Sequence, residues 1–102
     1  MRTLAQPTPR RAERMHVRMP VSLRIESQDQ SVGHEAHTVN LSNVGVQIFG
    51  DFALLPGQAV TIITDDDAQY RISGRVVWVG AVGSRLEGHA GVEFREPLPS
   101  QA

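Results

Sequence analysis

Hydrophobic and polar residues alternate in short runs along most of this chain. Val21, Leu23 and Ile25 are separated by Ser22, Arg24 and Glu26, which predicts a half-buried strand beginning near Pro20. Ser27 to Gly33 is a polar turn, and Glu35 to Val39 reads as a second, weaker strand. Asn40 to Gly45 is a turn by composition, since Asn folds onto its own backbone and Gly tolerates positive φ. Val46 and Ile48 flank Gln47 in a third strand. Phe52, Leu54 and Leu55 lead into Pro56-Gly57, a strong turn signal. Ala59 to Thr64 is a β-branched fourth strand, closed by Asp65-Asp66-Asp67. Next, Tyr70, Ile72, Val76 and Trp78 share one face, and Arg71, Ser73, Arg75 and Val77 the other. Gly74 marks a bend or bulge in that fifth strand. After a loop holding Gly80, Gly83 and Gly88, Ala90 to Phe94 forms the sixth, with Val92 and Phe94 on one face.

Six short strands with turns every 8–15 residues predict an all-β fold, a small six-stranded antiparallel barrel. Closure matters at this size, because an open sheet leaves exposed edges. Residues 1–13 lack a hydrophobic period and contain Pro7 and Pro9, so a flexible Arg-rich N-terminal arm is expected there. One helical option remains, Arg10 to Met19, which would align Arg10, Arg14 and Arg18 on one face. Such like charges repel and call for an anion. Pro97 and Pro99 leave room for little or no C-terminal helix.

Composition narrows the function classes. At 102 residues the chain holds about one domain. It has no cysteine, which excludes disulfides, thiol catalysis and Cys-type zinc sites. The longest nearly apolar run, Val76 to Val82, is far below the roughly 18 residues of a membrane helix. The polar N-terminus resembles no signal peptide, so a cytoplasmic protein without membrane insertion is expected. The net charge of −1 conceals a split. Residues 1–24 carry six arginines against one acid, +5; residues 25–102 carry four arginines against ten acids, −6. All ten basic residues are arginine, whose planar fork binds phosphates and base edges bidentately and stacks on flat rings.

Two motifs carry the chemistry. Arg14-Met15-His16-Val17-Arg18 stands where the arm meets the first strand, directly before Met19-Pro20-Val21. About 20 residues later comes Asn40-Leu41-Ser42-Asn43-Val44-Gly45. Either alone is weak, but R-x-x-x-R and N-x-S-x-x-G in this order around an alternating strand are specific. With Gly74-Arg75-Val76-Val77-Trp78 and Gly91-Val92-Glu93-Phe94, the sequence resembles a PilZ domain, the bacterial receptor module for cyclic di-GMP, over roughly residues 11 to 96. The resemblance implies a PilZ-type barrel and ligand contacts from Arg14, Arg18, Asn40, Ser42 and Gly45. Arg10, Arg11 and Trp78 are secondary candidates, though Trp78 sits at core spacing. The implied division is an arm at 1–13, the domain at 14–96 and a tail at 97–102.

The ligand suits these residues. It carries two guanines and two phosphates; guanine O6 and N7 meet an arginine fork, and phosphate takes charge-assisted bonds. The Asn40–Gly45 turn offers backbone amides and the Ser42 hydroxyl, and Gly45 permits close approach. Binding would order the arm and signal to a downstream protein, in a family whose outputs include motility and biofilm formation. Glu13 replaces an arginine many members carry, which leaves open whether one nucleotide or a stacked pair binds. A monomer with no cofactor is expected. No nucleophile–base pair or paired carboxylates suggest an enzyme. His34-Glu35-Ala36-His37 lacks helical metal-site spacing. The alternatives are a protein-only adaptor of the same fold and a nucleic-acid-binding barrel; the acidic body disfavours the latter, so no nucleic-acid partner is expected.

Overall fold

Alternating apolar residues give most strands one inward side, and the six strands bring these sides together inside a closed barrel. The computed structural model describes residues 15–98. Its strands are β1 (Pro20–Ile25), β2 (His34–Leu41), β3 (Gly45–Gly50), β4 (Ala59–Thr64), β5 (Arg71–Val79) and β6 (His89–Phe94). They close in the order β1-β2-β3-β6-β5-β4, with every neighbouring pair antiparallel. No helix occurs among the described residues. Leu23, Ile48, Val60 and Val76 are fully buried at the centre. Each contributes about 1.5–3 kcal/mol of hydrophobic burial. Val21, Ile25, Val46, Ile62, Ala90, Val92 and Phe94 complete the barrel core. Leu54, from the segment after β3, caps it.

Several expectations need correction. The helical option for Arg10–Met19 fails in its described part. Met15 forms a two-way backbone bridge with Leu41, at 2.8 and 2.9 Å, and the Thr38 amide donates to the Met19 carbonyl. Residues 15–19 therefore run extended beside β2. Buried Thr38 clasps them: its Oγ1 accepts from the Met19 amide at 2.9 Å and donates to the Val17 carbonyl. The rest of that option, the arm and the tail beyond Leu98 lie outside the described residues.

The predicted Asn40–Gly45 turn is shorter than its composition suggests. Asn40 and Leu41 complete β2, and Gly45 opens β3. Tyr70 lies before β5 and is exposed, because the Asp65–Asp67 loop extends to it. Asp66 organises that loop by accepting from the amides of Ala68 and Gln69. Gly74 does not mark the irregularity of β5. A Cβ there would lie 2.6 Å from the Glu93 carbonyl oxygen, so it serves close packing on β6. The register shift falls between Val76 and Trp78, with a second between Thr38 and Asn40 in β2.

Candidate functional site

These two register shifts set the outer surface of the barrel. In a regular strand, Asn40 would follow buried Thr38 inward and Trp78 would follow buried Val76. A bulge inserts one residue without a partner and reverses the phase beyond it. With Val39 and Val77 as the extra residues, Thr38 and Val76 keep their core positions while Asn40 and Trp78 turn outward. Val79 then faces inward and packs on the core. Asn40 pairs with Gln47, Gln47 with Gly91, and Gly91 with Trp78. The result is one outward row across four strands. The expectation that Trp78 belongs to the core is thus corrected. Its indole lies flush on Gly91, where an added Cβ would stand 2.0 Å from Nε1.

Asn40, Gly45, Gln47, Val77, Trp78 and Glu93 help line a cleft of about 500 Å³ above this row. Asn40 Nδ2 donates to Gln47 Oε1 at 2.8 Å. The turn at its end is held internally. Ser42 is buried, and its Oγ accepts from the amides of Val44 and Gly45, each at 3.2 Å, and donates to the Gly45 carbonyl. The Ser42 hydroxyl therefore shapes the turn. Gly45 has no positive φ. It is required by crowding, since a Cβ would lie 2.7 Å from the Val92 carbonyl oxygen.

The arginine motif meets this surface from the side of β2. Arg10, Arg11 and Arg14 lie outside the described residues. Met15, next after Arg14, is bridged to Leu41, the neighbour of both Asn40 and Ser42. Arg18 is exposed and borders a second, larger cleft of about 1110 Å³. The structure thus brings Asn40, Gly45 and Trp78 to one cleft and Arg18 to its neighbour.

A feature that sequence reasoning missed lies between them. The next outward row is His37, Phe49 and His89, paired across β2, β3 and β6. Its ring centroids are 5.4 and 4.8 Å apart, with tilted planes. Gln47 Nε2 donates to His89 Nδ1 at 3.0 Å and so joins the two rows. Partial burial, then the positive charge of Arg18, then His89, hold the His37 imidazole below its ordinary pKa. The available sequence signal is Phe49, an aromatic out of phase with Val46 and Ile48. Among the described residues no group of three or more His, Cys, Asp or Glu is placed to hold a metal ion. No helix among them is long and apolar enough to cross a membrane.

The PilZ domain model matches residues 8–102, a span that takes in the whole barrel and both motifs. The chain belongs to the PilZ domain family. Among solved structures, this PilZ domain is similar to the PilZ domain of CeSA from a cellulose-synthesizing bacterium. That match has a TM-score of 0.62 and 18% identity, covering 82% of this chain and 81% of that one. It is also similar to the Bacillus subtilis inhibitor of motility MotI/DgrA, with a TM-score of 0.66 and 13% identity over 89% of this chain and 44% of that one. At these identities the likeness is one of fold. No curated protein matches the sequence. PilZ domains are non-enzymatic receptor or adaptor modules, and the family's ligand is cyclic di-GMP.

Proposed function

We propose that this PilZ domain is a cyclic di-GMP receptor whose ligand lies on the outward row Asn40–Gln47–Gly91–Trp78. The observation that carries this reading is the pair of bulges at Val39 and Val77. Each costs a ladder position in the sheet, and together they turn an amide and an indole into one cleft. Trp78 offers a flat face for a guanine, and Asn40 a hydrogen-bonding edge. Gly45 and the Ser42-held turn let the ligand approach the backbone. Arg14 and Arg18 supply bidentate contacts to guanine or phosphate, with Arg10 and Arg11 as further cationic partners.

The signal leaves through the arm. Residues before Met15 close over the ligand, and a downstream protein reads the changed surface. Two or more charge-assisted contacts of about 1.5–3 kcal/mol each offset the ordering cost. Calorimetric titration with cyclic di-GMP tests the reading. Saturable binding by the wild type, weakened more than tenfold in Arg14→Ala, Arg18→Ala and Asn40→Ala, is expected. Heat indistinguishable from buffer at millimolar ligand refutes it.

A further inference from the structure

The larger cleft has the makings of a base-binding site of its own. Its wall is the ladder His37–Phe49–His89, three flat rings in one outward row. Phe49 is 38% exposed, so part of its phenyl ring is open at the surface. The backbone makes room for it. Gly88 has φ +86, and a Cβ there would lie 2.7 Å from Phe49 Cε1. Polar groups of both kinds surround the rings. Arg18 borders the cleft on the His37 side. Glu35 lies two residues along β2 from His37 on the same outward face, and Asp51 and Glu87 line the cleft as well.

This charge set does not suit a bare anion, because three carboxylates oppose one arginine. It suits a planar group carrying donors on one edge and acceptors on the other. Guanine is such a group: O6 and N7 accept, and the N2 amino group donates. An arginine only donates and a carboxylate only accepts, so Arg18 and Glu35 complement opposite edges. The ladder also lies next to the Asn40–Trp78 row. Gln47 and Phe49 are two residues apart on β3, about 7 Å along the strand. The Gln47–His89 hydrogen bond links the two rows directly.

We propose that the larger cleft seats a guanine base on the His37–Phe49–His89 ladder, with Arg18 on its acceptor edge and Glu35 on its donor edge. This rests on the cyclic di-GMP reading and deepens it: one guanine lies on Trp78, and the second occupies this cleft. The ladder supplies stacking, and Glu35 supplies preference for guanine over adenine, which lacks the N2 amino group.

The test uses the full chain, cyclic di-GMP and cyclic di-AMP. Phe49→Ala is expected to weaken cyclic di-GMP binding at least about fivefold, the lower range for loss of one base–aromatic stack. Phe49→Tyr restores it. Glu35→Gln narrows the cyclic di-GMP over cyclic di-AMP preference. Ligand is expected to shift the imidazole carbon–proton NMR signals of His37 and His89 together with the indole N–H of Trp78, the single tryptophan. Circular dichroism confirms that each variant is folded. If the wild type binds neither nucleotide, the receptor reading and this inference fall together. If it binds and Asn40→Ala weakens it, while Phe49→Ala and Glu35→Gln match the wild type and only the Trp78 signal moves, the receptor reading stands and the second guanine site is refuted.

Discussion

Replacing Thr38 by valine keeps the side-chain shape and removes one hydroxyl. Thr38 is 2% exposed, so the valine stays packed, and the groups left without their partner are the Met19 amide and the Val17 carbonyl. Its Oγ1 accepts from the Met19 amide and donates to the Val17 carbonyl, which clasps residues 17–19 to β2. Each such bond is worth about 0.5–1.5 kcal/mol net, so the pair sums to about 1–3 kcal/mol. For a domain near 100 residues, about 4–8 °C of melting temperature follows each kcal/mol, giving a fall of about 4–24 °C. The backbone bond from the Thr38 amide to the Met19 carbonyl survives, so the barrel still closes. The loss is expected to be local as well as global. Amide exchange at Met19 should accelerate more than at the β4–β5 amides. An unchanged melting temperature together with unchanged Met19 exchange would refute the assignment of Thr38 as the clasp.

Three further outcomes rest on the same geometry. Gly91→Ala forces the Trp78 indole off the β6 backbone, because the new Cβ would sit 2.0 Å from Nε1; tryptophan emission should shift, and cyclic di-GMP affinity should fall by about fivefold or more in titration. Gly45→Ala drives a methyl against the Val92 carbonyl oxygen, with no flexible side chain to yield, and should cost about 1–3 kcal/mol in urea unfolding. The His37 imidazole has a folded pKa below its ordinary 6.5, so unfolding takes up a proton below that value. Its contribution to stability is therefore complete above pH 6.5 and declines as pH falls through the folded value. Melting curves over that range should show a steeper decline for the wild type than for His37→Gln, and identical slopes would count against it.

The strands are legible in the sequence where their inward residues keep period two, as they do in β1 and through most of β4. Val21, Leu23 and Ile25 in β1 and Val60 and Ile62 in β4 are buried as their alternation demands. The surface is less legible, because bulges leave no mark in composition. Val77 and Val39 are ordinary β-branched residues, yet each reverses the phase of the residues after it. Gly74 suggests a bend by residue type alone, while its real constraint is a carbonyl on a neighbouring strand. The ladder is hidden for a different reason. His37, Phe49 and His89 lie far apart in sequence and meet only through the register of three strands. The two motifs are readable as patterns, but the placing of Asn40 and Arg18 at separate clefts depends on where residues 15–19 run along β2.

The bridge between Met15 and Leu41 also fixes an effective concentration. Arg14 is joined to the bridged residue directly, and Arg10 and Arg11 by five and four covalent steps. At no more than about 3.6 Å per residue, the backbones of those arginines stay within roughly 18 Å of the anchor. A short tether of this kind presents its groups at millimolar local concentration. Encounter between the arm and anything resting on the Asn40 row is then intramolecular. Its probability does not change with dilution of the protein. On the receptor reading proposed above, closure of the arm would follow occupancy of that row and not the amount of protein.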